Sequence, residues 1–322
     1  MKKKVVLIST GGTIASGVNP ETGLLTSGML TGEDLSKQCV LPSHIELKVE
    51  TLFHLPSNEM TFDHLIQLKQ KIEQVFEDQE VAGVVVTHGT DTLEETAYFL
   101  DLTIGDGRPV VVTGAQRSPA TIGTDAFSNL RQAIILAASE EARSLGTVVL
   151  FNEKILPARY VKKHHASNVD GFNAPGFGHL GYVDEEEVIL YGKAVKKETY
   201  ELKSELPYVE IIKCSLGSDG RLIKYAVETG AKGIVLEAFG RGQVHPAVAE
   251  QVQYAIEKGV IVVVTTSTAE GNVKVVYDTP GTAYDLQKKG AILGRDYDSK
   301  KARMKLAVML AAGVGDLEKK FK

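Results

Sequence analysis

The sequence predicts an α/β protein, with a larger N-terminal domain on a doubly wound, mainly parallel sheet and a smaller C-terminal α/β domain. Three observations carry that expectation. Short, nearly continuous apolar runs rich in β-branched residues recur along the 322 residues, as they do in strands covered on both faces. Between them lie stretches whose apolar residues return every three or four positions, the period of a helix with one buried face. The two patterns alternate, which is the arrangement of parallel strands joined by helical crossovers.

In chain order the strand runs are Val5 to Ile8, Val81 to Val86, Val110 to Val112, Thr147 to Phe151, Val209 to Ile212, Gly233 to Leu236 and Val260 to Val264. Helical period appears in Thr61 to Glu77, through Phe62, Leu65, Ile66, Ile72, Val75 and Phe76. It appears again in Leu93 to Ile104, through Leu93, Ala97, Leu100 and Ile104. A third helix opens at Pro246, a residue suited to the first turn, and continues through Val248, Ala249, Val252, Ala255 and Ile256. The charged stretch Asp184 to Leu206, with Glu185-Glu186-Glu187 and Lys196-Lys197, parts the first four strand runs from the last three. It reads either as a connection, giving domains 1–190 and 209–322 with a linker at 191–208, or as a solvated hairpin inside one domain.

Composition narrows the function classes. The net charge of −5 comes from interspersed signs, so there is no basic face of the kind that nucleic acid or an anionic membrane requires, and neither is expected as a partner. The N-terminal apolar run stops at Ser9, too early for an export signal, and reads as a first strand. No stretch approaches the ~20 apolar residues of a membrane span. Two cysteines, Cys39 and Cys214, make no disulfide framework, so a cytoplasmic protein with reduced thiols is expected. Cys214 ends an apolar run and reads as a buried strand thiol rather than a nucleophile.

The candidate chemistry sits where strands end. The first strand runs into Ser9-Thr10-Gly11-Gly12-Thr13-Ile14-Ala15; two glycines allow a sharp turn and a close approach to a ligand, and Thr10 and Thr13 are expected at the mouth of the crevice. The loop matches neither phosphate-cradling glycine pattern. The second strand ends in Thr87-His88-Gly89-Thr90-Asp91-Thr92, and Thr92 with Glu95 has the spacing of a capping box. Thr90 and Asp91 therefore precede a helix N-terminus, with Asp91 either a cap or a functional carboxylate. A third strand exits into Thr113-Gly114-Ala115-Gln116-Arg117, and a fourth leads to Lys162-Lys163-His164-His165. A threonine hydroxyl is a poor nucleophile without an adjacent base, and a desolvated lysine serves as one; otherwise the lysine pair is a solvated basic turn. Adjacent histidines point apart and no carboxylate stands at ligand spacing, so no metal or other cofactor is expected.

Together Thr10-Gly11-Gly12-Thr13-Ile14-Ala15, His88-Gly89-Thr90-Asp91-Thr92 and Lys163 resemble the bacterial-type L-asparaginases, of the cytoplasmic Bacillus type. The likeness extends through Pro56-Ser57-Asn58, Asn152 to Asn168 and Gly240-Arg241-Gly242-Gln243. It implies two-step hydrolysis of L-asparagine to L-aspartate and ammonia through an acyl-enzyme, with minor glutaminase activity. Thr13 is then the nucleophile, and Thr90, Asp91 and Lys163 activate it or the attacking water. Ser57, with Asn58 beside it, holds the α-carboxylate and Asp91 the α-ammonium. The Ala115 carbonyl lies near the leaving amide, the Thr90 backbone N–H serves the oxyanion, and Gln243 completes the substrate contacts. The resemblance also implies a homodimer or homotetramer with sites completed by a neighbour. Two departures stand out: no tyrosine occurs before Tyr98, with Leu25 or Thr26 at the usual tyrosine position, and Gln243 replaces an asparagine of some relatives. Tyr277 is the substitute candidate for activating Thr13. The flexible composition of Ala15 to Thr31 suits a lid that closes over substrate. The rivals are the amide-hydrolysing subunit of a tRNA amidotransferase, which carries an extra N-terminal domain, and a ligand-binding module without turnover.

Overall fold

A computed structural model describes residues 2–26, 28–192 and 198–321; Lys196 and Lys197 of the charged stretch lie outside them. The chain forms two compact units, Met1–Thr199 and Tyr200–Lys322. Their division falls inside the charged stretch that separates the two sets of strand runs.

In the first unit the order is β1 (Lys3–Gly11), the short hairpin β2 (Gly17–Val18) and β3 (Leu25–Thr26), α1 (Gly32–Lys37), β4 (Ile45–Leu55), α2 (Phe62–Phe76), β5 (Val81–Thr87), α3 (Leu93–Thr103), β6 (Val110–Thr113) and α4 (Ala126–Ala138). There follow β7 (Thr147–Phe151), β8 (Lys154–Pro157), β9 (Lys162–Lys163), β10 (Phe172–Asn173), β11 (Gly181–Asp184) and β12 (Glu187–Leu190). Eight strands make one sheet in the order β12-β11-β8-β7-β6-β5-β1-β4. From β4 to β7 the neighbours run parallel, and the β8, β11 and β12 edge is antiparallel.

Alternation explains the double burial. Val5, Leu7, Val85, Val111, Val148 and Leu150 share a core with Leu130, Ile134 and Ala137 of α4. The intervening Val6, Ile8, Val84, Val86, Val110, Val112 and Val149 are no more than 2% exposed and point to the other face. Both faces being covered, the strands read as continuous apolar runs.

The longest of the strands left out of the sequence reading is β4, an eleven-residue edge strand paired only with β1. Its outer positions carry Glu46, Lys48 and Glu50, the polar dressing an exposed edge needs. Because the chain passes from β1 to β4 on one side and returns to β5 on the other, the connection reverses at β1. Such a reversal opens a crevice at the carboxyl ends of the strands. Register aligns those ends: Ser9 pairs Thr87, Thr87 pairs Thr113, and Gly11 pairs Leu55.

The second unit contains β13 (Val209–Lys213), α5 (Arg221–Glu228), β14 (Gly233–Ala238), α6 (Pro246–Glu257), β15 (Ile261–Thr266), α7 (Ala283–Lys288), β16 (Ile292–Leu293), α8 (Ser299–Ala311) and α9 (Leu317–Lys320). Its four strands run parallel in the order β13-β14-β15-β16. Helix α8 escapes a reading by apolar period because Lys301 and Lys305 are each 1% exposed. Lys305 donates to the Tyr297 hydroxyl at 2.8 Å and lies over the Tyr297 and Phe321 rings, which gives its buried charge partners.

Candidate active site

Four loops leave the aligned strand ends and pack backbone against backbone. After β1, Gly11 and Gly12 have φ of 106° and 82°, a region that L side chains avoid. A Cβ on Gly12 would overlap the Gly89 backbone, one on Gly89 would lie 2.7 Å from Ser57 Oγ, and one on Gly114 would lie 2.5 Å from the His88 carbonyl oxygen. The Gly12 N–H donates to the Leu55 carbonyl at 3.1 Å. A 3₁₀ turn, Thr13–Ala15, then forms with Ile14 and Ala15 buried, so Thr13 is left half-buried facing a cavity. Among the described residues the Thr13 hydroxyl has no hydrogen-bond partner.

Thr10 departs from expectation. It is 2% exposed and donates its hydroxyl to the Thr87 carbonyl at 2.9 Å, stitching β1 to β5 instead of standing at the crevice mouth. The Thr92 capping box is also corrected. Thr92 occupies the N-cap of α3 without a side-chain cap bond, because its hydroxyl donates to the Ser57 carbonyl at 2.8 Å. The hydroxyl therefore fixes the Ser57 loop rather than the helix end.

Lys163, on the short strand β9, donates to Thr90 Oγ1 at 2.8 Å and to Asp91 Oδ1 at 2.7 Å. The lysine side chain is 16% exposed and the aspartate 66%, so Asp91 keeps an oxygen turned to solvent beside the buried Thr90. Ser57 is 4% exposed and accepts the Asp91 N–H on its Oγ at 3.2 Å. An oxygen engaged as acceptor leaves the Ser57 hydroxyl hydrogen to donate elsewhere.

Ala115 is fully buried, and its loop is held by a buried carboxylate. Asp125 accepts the Gln116 and Arg117 N–H groups at 2.9 Å each, while Asn129 donates to the Gly114 carbonyl at 3.0 Å and to Asp125 at 3.2 Å. His88 locks the neighbouring turn: Nδ1 donates to the Gly89 carbonyl at 2.8 Å, and Nε2 accepts from the Thr96 hydroxyl at 3.0 Å. Complete burial pushes this imidazole down to about 4, so it stays neutral. Sequence reasoning assigned no role to His88, Gln116 or Asp125, whose side-chain partners only the fold reveals.

One cavity of about 510 Å³ is lined by Thr13, Thr90, Asp91, Ser57 and Asn58, with Glu59 and with Leu25 and Thr26 of the β2–β3 hairpin. Lys163 joins it through its contacts with Thr90 and Asp91. Gln243 and Tyr277 belong to the second unit. Gln243 pairs its backbone with Phe239, and its buried side-chain oxygen accepts no hydrogen bond among the described residues; Tyr277 is 56% exposed. Among the described residues no group of three or more His, Cys, Asp or Glu is placed to hold a metal, and no helix is long and apolar enough to cross a membrane.

Residues 4–196 match the family model "Asparaginase, N-terminal", and residues 208–320 match "Glutaminase/Asparaginase C-terminal domain". An L-asparaginase of Bacillus licheniformis is 54% identical over 321 residues, covering 100% of this chain and 99% of the relative. L-asparaginase 2 of Escherichia coli is 30% identical, covering 95% of this chain and 88% of the relative. The crystal structure of a probable cytoplasmic L-asparaginase from Campylobacter jejuni superposes with a TM-score of 0.87 at 33% identity, covering 99% of this chain and 98% of that one.

Two predictions follow from the packing and from His88. Gly12→Ala forces a methyl into the Gly89 backbone at a φ that alanine resists, and urea unfolding should register a loss of about 1–3 kcal/mol. The His88 imidazole is neutral in the fold down to about pH 4, whereas an unfolded histidine protonates near ~6.5. The unfolded state therefore binds the extra proton between these values, and stability falls as pH drops through that window, by roughly 3 kcal/mol at its acid end. Denaturation midpoints of the parent and His88→Asn, compared from pH 7 to 4, should show a shallower decline in the variant.

Proposed function

The chain belongs to the asparaginase family, and from that premise we propose that it hydrolyses L-asparagine to L-aspartate and ammonia through an acyl-enzyme on Thr13. The observation that carries the mechanism is Lys163 bonded at once to Thr90 Oγ1 and Asp91 Oδ1, in contact with the cavity that Thr13 lines. Substrate enters with its α-ammonium on the solvent-facing oxygen of Asp91. Its α-carboxylate accepts the free hydroxyl hydrogen of Ser57, with Asn58 alongside. Thr13 attacks the side-chain amide carbon, and the Thr90 backbone N–H stabilises the negative oxygen that forms. The Ala115 carbonyl accepts from the amide nitrogen as it departs as ammonia.

The second step uses the Thr90–Lys163–Asp91 chain. With Lys163 as the neutral amine, water attacking the acyl carbon gives a proton to Thr90 as that hydroxyl passes its own to the lysine. The ammonium so formed is the partner that Asp91 already holds. The proton returns from Lys163 through Thr90 to the Thr13 oxygen as aspartate leaves, which restores both groups. The β2–β3 hairpin closes the cavity, with Leu25 or Thr26 where family members carry a tyrosine, and Tyr277 of a neighbouring copy relays the Thr13 proton to the leaving amide nitrogen. Exposed Val276 and Tyr277, 54% and 56% accessible, fit a homo-oligomer, dimeric or tetrameric, in which such a contact is made. A cytoplasmic location fits two free, buried cysteines and the similarity to the probable cytoplasmic L-asparaginase of Campylobacter jejuni. One extra methylene is worth only ~1–3 kcal/mol of discrimination, so minor glutaminase activity accompanies the main reaction.

Ammonia release by the purified protein tests the reading. Thr13→Ala and Thr90→Val should each lower kcat by on the order of 10³-fold or more, with the circular dichroism of the parent retained. Full activity in either variant would sink the mechanism. Tight asparagine binding by the parent with no ammonia would make it a binding module instead.

A further inference from the structure

We infer that Gln116 is a positioning residue, whose side-chain amide fixes the hairpin carrying Lys163 to the loop carrying Ala115. The inference rests on the reading in which Lys163 serves Thr90. Strand β9 is only two residues long, Lys162–Lys163, and pairs with β10 through two residues. So short a ladder does not by itself hold a lysine tip to the few tenths of an ångström that two simultaneous hydrogen bonds require.

The turn beyond Lys163 is held from outside. Gln116 Nε2 donates to the His165 carbonyl at 3.1 Å. The His164 and His165 N–H groups converge on the Gly171 carbonyl at 2.9 and 3.3 Å. His165 Nδ1 in turn accepts the Ser167 and Asn168 N–H groups at 3.1 and 2.9 Å. A Cβ on Gly171 would lie 2.1 Å from Gln116 Nε2 and 2.8 Å from the Asn168 carbonyl oxygen, so a side chain there displaces the amide. The amide thus rests against the turn that joins the two strands, at His165, two residues from Lys163.

Gln116 is itself anchored. Its N–H donates to Asp125 at 2.9 Å, and Asp125 is 7% exposed and bonded to Asn129. The buried helix α4 therefore fixes, through one residue, both the Ala115 backbone on one side and the Lys163 hairpin on the other. Nothing in this chain of contacts touches Ser57 or Asn58, so loss of the amide should affect proton handling more than substrate capture.

The test is a double-mutant cycle read in ammonia release. Gln116→Leu should lower kcat by roughly 10- to 100-fold, the effect of a displacement near 1 Å at a catalytic group, with KM within about twofold. Gly171→Ala, which displaces the same amide from the opposite side, should reproduce that split. In a Lys163→Met background Gln116→Leu should cost nothing further, because Gln116 acts through the lysine. The inference is overturned if Gln116→Leu leaves kcat within about twofold of the parent. It is equally overturned if that substitution slows the Lys163→Met enzyme by the factor seen in the parent, which is what general loosening would do. An inactive parent would remove the functional reading and this inference with it, whereas an active parent with an indifferent Gln116 removes this inference alone.

Discussion

The close approach of Gly12 to Gly89 is the constraint on which the site depends. Two loops that follow neighbouring parallel strands touch through backbone atoms, at a separation no side chain permits. That contact brings Thr13 and Thr90 to the wall of one cavity. The next contacts extend it: Gly89 against Ser57 recruits the loop after β4, and Gly114 against the His88 carbonyl recruits the loop after β6. Four strand ends are in register, and four loops are drawn together by the absence of Cβ atoms. A core of this kind tolerates little adjustment, since backbone cannot rotate out of the way as a side chain can.

Rigid packing alone would not orient polar groups, and the site adds a buried hydrogen-bond network for that purpose. Asp125, Asn129 and Asn152 form one branch, with the Asn152 N–H donating to Asn129 Oδ1 at 2.9 Å. His88, Gly89 and Thr96 form another. Each buried polar group is worth most when fully paired and costs most when not, so such networks enforce one arrangement. Keeping His88 neutral belongs to the same logic. An imidazolium there would be a buried charge with no counter-ion among its bonded partners, and acid pH attacks the site through its scaffold.

Much of this was legible in the sequence, for identifiable reasons. The parallel strands announced themselves because burial on both faces leaves no room for polar interruptions in Val81 to Val86 or Val260 to Val264. Thr13, Thr90, Asp91 and Lys163 were marked by glycine-bracketed strand ends and by family resemblance. What escaped was set by tertiary context. Edge strand β4 alternates with charge and lacks the continuous apolar signature. Helix α8 buries Lys301 and Lys305, and Lys305 finds the Tyr297 hydroxyl outside the helix. Thr92 has capping-box spacing, yet its hydroxyl is taken by the Ser57 carbonyl, a contact 35 positions away. Gln116 looks like an ordinary loop residue until the fold brings the His165 carbonyl, 49 positions away, to its amide.

The pairing of Lys163 with Asp91 is easily mistaken for the interaction that builds the site. Asp91 is 66% exposed, and an ion pair so hydrated contributes at most about 1 kcal/mol, too little to determine where either side chain lies. The order of causation runs the other way. Backbone close contacts and buried amides fix Thr90, Asp91 and the Lys163 hairpin independently. The ion pair forms because the groups have already been delivered to hydrogen-bond distance. That separation suits the proton carrier that Lys163 is proposed to be. A lysine held mainly by its own ion pair would lose its position whenever its charge changed.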